Sequence, residues 1–210
     1  MSMIEIFILF LIGSIIGWIL EFLYLNLIEK RNVNPGFLKG PYLPIYGFTI
    51  LFLYFISVLS INIIYKIFLF IIFPTLIELI TGVVFEKYFK IKIWDYHRKF
   101  WNYRGIICLQ ASFYWAILSI FYLFVLHNFV DGYLTIILSS TNYIFFYGAI
   151  AGIFLLDEFY ALNMAFKIKQ IATKMRTKQI DFNKFKKASS IFGNLKDKVK
   201  TVIKEKSLHL

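Results

Sequence analysis

Leu43–Phe85 reads LPIYGFTILFLYFISVLSINIIYKIFLFIIFPTLIELITGVVF, a run in which only Lys66 and Glu78 carry charge. About 20 apolar residues cross a bilayer core of about 30 Å, so this run is twice as long as one crossing needs. Its polar interruptions, Asn62 and Lys66, place a tight turn and divide it into helices over Pro44–Ser60 and Ile67–Glu86. Pro44 suits a first helical turn, where its missing N–H costs nothing. Pro74, Glu78, Gly82 and Glu86 recur every four residues, which gives the second helix one polar, small face with Glu78 near mid-depth. Two adjacent crossings of this kind predict an all-α, polytopic transmembrane helix bundle.

The flanking sequence extends that reading to about five crossings. Met3–Ile28 predicts the first, with Gly13 and Gly17 at the small-xxx-small spacing that lets another helix approach. Glu21 follows Gly17 by four residues and so lies on the same packed face. Ile106–Leu126 predicts the fourth crossing, with Cys108, Ser112 and Ser119 on roughly one face. His127–Asn142 reads as a connection, and the fifth crossing lies between Leu134 and Leu162, where Gly148-Ala149-Ile150-Ala151-Gly152 is a second close-packing signal. The bundle then occupies residues 1–165. Residues 166–210 form a basic tail in which Ile191, Leu195, Val199, Val202 and Ile203 recur among lysines, the pattern of an amphipathic helix lying on a membrane surface. A solvated, partly disordered tail is the equal alternative.

Composition agrees with a membrane protein. Of 210 residues 60% are hydrophobic and 17% charged, against roughly a half and a quarter in soluble domains. The net charge of +11 is placed rather than spread. Three basic residues lie between the first two helices, six between the third and fourth, and thirteen in the tail, with Lys66 alone on the other side. Lys and Arg mark the cytoplasmic side, so the N-terminus is expected outside and the C-terminus in the cytoplasm. The charge then meets anionic lipid headgroups at the tail, not nucleic acid. One cysteine, Cys108, excludes an internal disulfide and a thiolate metal cage. No cleavable signal is expected at the N-terminus. Phosphate-loop, zinc-protease and nucleophile-elbow motifs are absent, and His97, His127 and His209 have no ligand spacing. No metal and no cofactor is expected.

Chemistry is concentrated in the buried acids and in two polar stretches. Intramembrane ionisable residues are functional candidates, and Glu21, Glu78, Asp95 and Asp157 all fall toward the expected cytoplasmic side. The bland alternative is that these acids pair with Arg31, Arg98 or Arg104 and hold helices together. The first stretch, Asn34–Gly47, mixes Gly36, Gly40, Pro35 and Pro41 with apolar Phe37 and Leu38. That mixture predicts a loop dipping back into the membrane where protein covers its backbone. The second runs from Trp94-Asp95-Tyr96 through Asn102 and Arg104 to Cys108-Leu109. Trp94, Trp101, Tyr42, Tyr88, Tyr96 and Tyr103 read most simply as an interfacial aromatic belt.

Several of these residues form a combined pattern. Gly17-Trp18 with Glu21, then Gly36-Phe37-Leu38-x-Gly40-Pro41-x-x-Pro44-Ile45-Tyr46-Gly47, then Glu78 and Gly82, Trp94-Asp95-Tyr96, and Asn102-x-x-Gly105-x-Ile107-Cys108-Leu109 with Ser112 succeed one another. The pattern resembles the bacterial family described as Putative ABC-transporter type IV, over roughly Met3–Leu126 and more loosely to Asp157. Ile106, Gln110 and Ala116 depart from it where the family tends to carry Arg, an acid and Gly; Arg104 stands two positions from the missing cation. The resemblance implies a multi-pass permease-like subunit of a bacterial plasma (inner) membrane, working with a separate nucleotide-binding ATPase if it transports. The candidate polar site, facing the cytoplasm, comprises Glu21, Arg31, Asn34, Gly40, Pro41, Tyr46, Glu78, Asp95, Tyr96, Asn102 and Arg104. Two other readings stay open: a membrane enzyme acting on a lipid-linked or phosphorylated substrate with Glu78 or Asp95 as base, and a non-catalytic membrane scaffold.

Overall fold

The computed structural model of the chain describes residues 2–30 and 32–176, which are helical apart from connections over 28–43, 59–62, 90–101 and 139–140 and one short hairpin. Helix α1, Met3–Leu27, starts at Ser2, whose hydroxyl accepts the Glu5 N–H while the Glu5 carboxylate accepts the Ser2 N–H. This reciprocal cap satisfies two N–H groups that the helix itself leaves unpaired. Helix α2, Pro44–Val58, has Pro44 in its first turn as expected. Helix α3, Ile63–Val84, starts four residues earlier than the sequence reading placed it. The reason is that Asn62 caps it, its side-chain oxygen accepting the Ile64 N–H at 2.9 Å. Lys66 reaches back to the Ser57 carbonyl at 2.5 Å, near the last turn of α2. Both polar interruptions therefore finish helix ends rather than form a loop.

The hairpin pairs β1, Asn102–Tyr103, with β2, Ile107–Cys108, in antiparallel register. Helix α4, Leu109–Phe121, leaves β2 directly, with Cys108 as its N-cap. The expected connection over His127–Asn142 is not a loop. One wide turn, Tyr122–Leu126, carries the chain from α4 into helix α5, His127–Leu138. Asn128, Asp131 and Gly132 are indifferent helix formers, but each costs at most about 1 kcal/mol, too little to stop a rod that is otherwise apolar. The break comes at Ser139–Ser140, where the Ser139 hydroxyl donates to the Ile136 carbonyl at 2.7 Å and competes with the backbone for it. The last crossing, α6, accordingly runs over Thr141–Arg176 instead of beginning near Leu134 and ending at Leu162. The amphipathic segment expected around Ile191–Ile203 lies outside the described residues.

Among the described residues four stretches are long and apolar enough to cross a membrane: Met3–Leu27, Ile63–Phe89, Leu109–Leu134 and Thr141–Ile171. Helix α2 is the short one, its 15 residues spanning about 22 Å at 1.5 Å per residue. In lipid, helices associate through close packing more than through hydrophobic burial, and α1 and α2 do so across the predicted small residues. A methyl group on Gly13 would lie 2.4 Å from Ile50 Cγ2, and one on Gly47 would lie 2.6 Å from the Phe10 carbonyl oxygen. The Leu43 N–H donates to the Ser14 carbonyl at 2.9 Å and fixes the register of the pair. Gly148 and Gly152, the second such signal, meet nothing within 4 Å. They lie on an open side of α6 among exposed Phe145, Ile153 and Leu156. Within the described chain this second signal is not used.

Candidate functional site

Glu78 is the buried acid of the bundle, 3% exposed. Pro74 lies one turn before it on the packed side of α3. Its two carboxyl oxygens accept from different elements: Tyr96 Oη donates to Oε1 at 3.0 Å, and Trp115 Nε1 donates to Oε2 at 3.2 Å. Tyr96 sits in the loop after α3 and Trp115 in the second turn of α4, so one carboxylate joins three consecutive parts of the chain. Burial and then the Glu78 charge push the Tyr96 phenol far above its ordinary pKa of 10. It stays a donor at any physiological pH.

Glu21 lies beside this group. Tyr46 Oη donates to Glu21 Oε2 at 3.0 Å, and the Tyr46 ring packs on Trp115 with centroids 4.7 Å apart. Gly17 makes this approach possible, because a methyl group there would lie 2.1 Å from the Tyr46 ring. The order Glu21, Tyr46, Trp115, Glu78, Tyr96 thus runs through α1, α2, α4, α3 and the loop as a chain of contacts. Among the described residues no lysine or arginine pairs with either carboxylate. Leaving a charge uncompensated in an apolar interior is costly, and neutral O–H and N–H donors meet only part of that cost.

The other predicted site residues are placed elsewhere. Neither of the two described arginines named as partners reaches the carboxylates: Arg104 donates to Glu86 at 3.3 Å, at the exposed edge of the hairpin. Arg98 is exposed, and Arg31 is not among the described residues. Asp95 closes its own loop by bonding both the ring and the N–H of His97, with Lys92 4.0 Å away. Partial burial raises the Asp95 pKa, but the two His97 bonds and the Lys92 charge outweigh it and hold the carboxyl below its ordinary 3.8. Asn102 holds the hairpin, donating to the His97 and Lys99 carbonyls and accepting the Gly105 N–H at 3.0 Å. Gly105 is required there by its φ of +70° and by the His97 ring beneath it. Trp101, Asn102, Tyr103, Cys108 and Ser112 border an open cleft of about 410 Å³ on this side.

Asn34, Gly40 and Pro41 belong to the first polar stretch, which folds back against the bundle. Leu38 and Tyr42 are buried in one apolar cluster with Phe10, Leu11, Phe154 and Ala161. Asn34 organises the turn: its oxygen accepts Trp18 Nε1 at 2.9 Å and the Gly36 N–H at 3.0 Å, and its amide donates to the Leu38 and Lys39 carbonyls. Asp157 of α6 accepts the Lys39 and Gly40 N–H groups at 3.3 and 2.8 Å. Hydrogen bonds to a charged acceptor contribute about 1.5–3 kcal/mol. Asp157→Ala is therefore expected to free this loop, and exchange of the Lys39 and Gly40 amides with deuterium should speed at least tenfold while α1 and α2 keep their protection.

Of the expected aromatic belt, Tyr88, Trp101 and Tyr103 are exposed. Trp94 donates to the Ile106 carbonyl at 2.7 Å, Tyr42 is buried, and Tyr96 is bound to Glu78. Trp115 is the functional candidate the sequence reading missed. It stands three residues after Ser112 and four before Ser119, on the face already marked by those serines, and that spacing was the available signal.

A bundle of apolar helices, with two acids held inward by aromatic donors and a polar hairpin over one end, defines a polytopic membrane protein. Within that class the chain belongs to the family described as Putative ABC-transporter type IV, whose sequence profile matches residues 8–162. No curated protein and no solved structure matches the chain.

Proposed function

We propose that the chain is a permease-like subunit of a bacterial plasma-membrane transport system, and that Glu21 and Glu78 form its polar site. The observation carrying this reading is the pair of inward carboxylates that, among the described residues, meet only neutral donors from Tyr46, Trp115 and Tyr96. Intramembrane acids mark paths for substrates, ions or protons, and among the described residues neither acid has a cationic partner. The family supports the transport class. The site faces the cytoplasm in this reading, because Lys87, Lys90, Lys92, Arg98, Lys99 and Arg104 surround the loop that reaches Glu78. The same rule sets the N-terminus outside, the C-terminus inside, and the basic tail from Phe166 against anionic headgroups. The chain holds no phosphate-binding loop motif, so ATP hydrolysis falls to a separate nucleotide-binding subunit.

The test is affinity purification of the full chain from its native membrane, followed by reconstitution. An ATPase subunit should co-purify. Its hydrolysis rate in proteoliposomes should fall at least tenfold when Glu21→Gln and Glu78→Gln are combined. A complex without any nucleotide-binding protein, or ATP hydrolysis indifferent to both substitutions, would rule the reading out.

A further inference from the structure

Trp115, Ser119 and Tyr122 recur at intervals of four and three along α4, and all three are buried. Ser119 is 1% exposed and Tyr122 3%, yet neither hydroxyl has a hydrogen-bond partner among the described residues. The wide turn that follows changes the helical register. The His127 N–H bonds the Tyr122 carbonyl five residues back, whereas an α-helix would place residue 127 well around the cylinder from residue 122. The His127 ring therefore comes to rest 6.0 Å from the Tyr122 ring and 5.6 Å from Tyr54 on α2. His127 Nδ1 is buried and also unpartnered. Tyr54 in turn is hydrogen-bonded to Asp131, which is exposed one turn further along α5.

Helix α3 contributes at the same level. Pro74 has no N–H to give the carbonyl of Phe70 four residues back, and the Phe70 ring packs 6.3 Å from Tyr122. A polar line thus follows the buried side of the bundle. It passes from exposed Asp131 through Tyr54, His127, Tyr122 and Ser119 to Trp115 and Glu78, and ends at Tyr96 under the hairpin. Buried polar atoms are nearly always paired in folded proteins. Three orphans on one face of one continuous rod, adjoining an intramembrane carboxylate, need partners that no described side chain supplies.

We infer that this line is a proton path, linking the Asp131 side of the protein to Glu78 through water held by Ser119, Tyr122 and His127. It rests on Glu78 as a functional group only at its hairpin end. The titratable and charged groups along it are Asp131 on α5, Tyr54 and Tyr46 on α2, Tyr122 and His127 on the α4–α5 rod, Glu78 on α3, Glu21 and Glu5 on α1, Tyr147 on α6 and Tyr96 in the loop; Lys66, on α3, donates to the Ser57 carbonyl three residues beyond Tyr54. Trp115, whose indole N–H only donates, orients Glu78 and is bypassed by the water. Each relay group, Asp131, Tyr54, His127, Tyr122, Ser119 and Glu78, accepts a proton from one neighbour and releases one to the next. The side chains end unchanged, and one proton has crossed. Serine and tyrosine hydroxyls suit the relay because each both donates and accepts.

The test uses the full purified chain in liposomes loaded with a pH-sensitive dye, with a potassium gradient and valinomycin to balance charge. Proton entry should exceed that of empty vesicles at least tenfold. Ser119→Ala and Tyr122→Phe should each lower it at least fivefold, whereas Phe145→Ala, on the open side of α6, should leave it unchanged. The melting temperature separates a path from packing. In this reading each hydroxyl bonds water alone and no described side chain, so its removal should leave melting nearly unchanged. Flux equal to that of empty vesicles, flux unaffected by both substitutions, or a loss of flux accompanied by lower melting temperature would overturn the inference. Proton flux without a co-purifying ATPase would sink the transport-subunit reading and keep the path; the reverse result would do the opposite.

Discussion

Gly47→Leu is expected to abolish the folded bundle, giving aggregated protein on size exclusion in detergent where the native chain runs as a single species. Even the first carbon of the new side chain would lie 2.3 Å from Ser14 Oγ and 2.6 Å from the Phe10 carbonyl oxygen. The serine hydroxyl is itself committed, donating to that same carbonyl at 2.8 Å. Backbone cannot swing aside as a flexible side chain can, so α1 and α2 must separate. Overpacking a well-filled site commonly costs about 1–3 kcal/mol; a clash with helix backbone should cost more. Separation would also break the Leu43–Ser14 bond and pull Tyr46 from Glu21. Gly152→Leu is the control. It introduces the same residue where nothing lies within 4 Å, and it should leave the elution profile and melting temperature unchanged. Equal damage from both substitutions would mean that α1 and α2 do not meet as described.

The second large effect is expected at Glu78. Glu78→Leu keeps much of the volume but leaves the Tyr96 hydroxyl and the Trp115 N–H facing an apolar side chain. Each buried donor left without an acceptor costs about 1–3 kcal/mol, so the pair predicts a loss of about 2–6 kcal/mol. The loss should appear as a melting temperature lower by ten degrees or more in detergent. The damage should spread in a defined direction. Tyr96 carries the loop between α3 and the hairpin, so the backbone amides of Tyr96 and Gly105, whose N–H and carbonyl are bonded at 2.8 Å, should exchange faster with deuterium. Tyr96→Phe combined with Trp115→Phe removes both donors and leaves the carboxylate unpaired, and it should destabilise as much as Glu78→Leu. The triple variant, with donors and acceptor all removed, should recover a substantial part of the loss. Additive losses in the triple variant would show that these groups do not act on one another.

Sequence reading reached the class of fold because lipid leaves few options. A spanning backbone must satisfy its own N–H and C=O groups, so long apolar runs can only be helices. Gly13 and Gly17 announced a close helix contact on α1 for a related reason: without a side chain, helix backbones can touch. That α2, through Gly47, makes this contact was decided by the fold. Gly148 and Gly152 carry the same spacing, but spacing says that contact is allowed and not that a partner is present. The boundaries at Ile63 and Thr141 were missed because Asn62, Lys66 and Ser139 have two uses, as loop residues or as helix-end hydrogen-bonding groups, and local sequence is the same for both.

For the site, Glu21 and Glu78 were legible as inward acids, since helical spacing put each on a small-residue face. The sequence by itself determined a polytopic helix bundle with two buried carboxylates and two polar stretches near one end. Tertiary structure alone decided their partners. It set Arg104 against Glu86, turned Asp95 and Asn102 to holding the hairpin, and gave the carboxylates to Tyr46, Trp115 and Tyr96. Only the fold aligned His127 with Tyr122 as well, because a single wide turn shifts the register by about one residue's rotation, which no 3.6-residue pattern records. Helical periodicity fixes which way a side chain faces; which side chain meets it from another helix depends on crossing angles and depths that are set by the packing of the whole bundle.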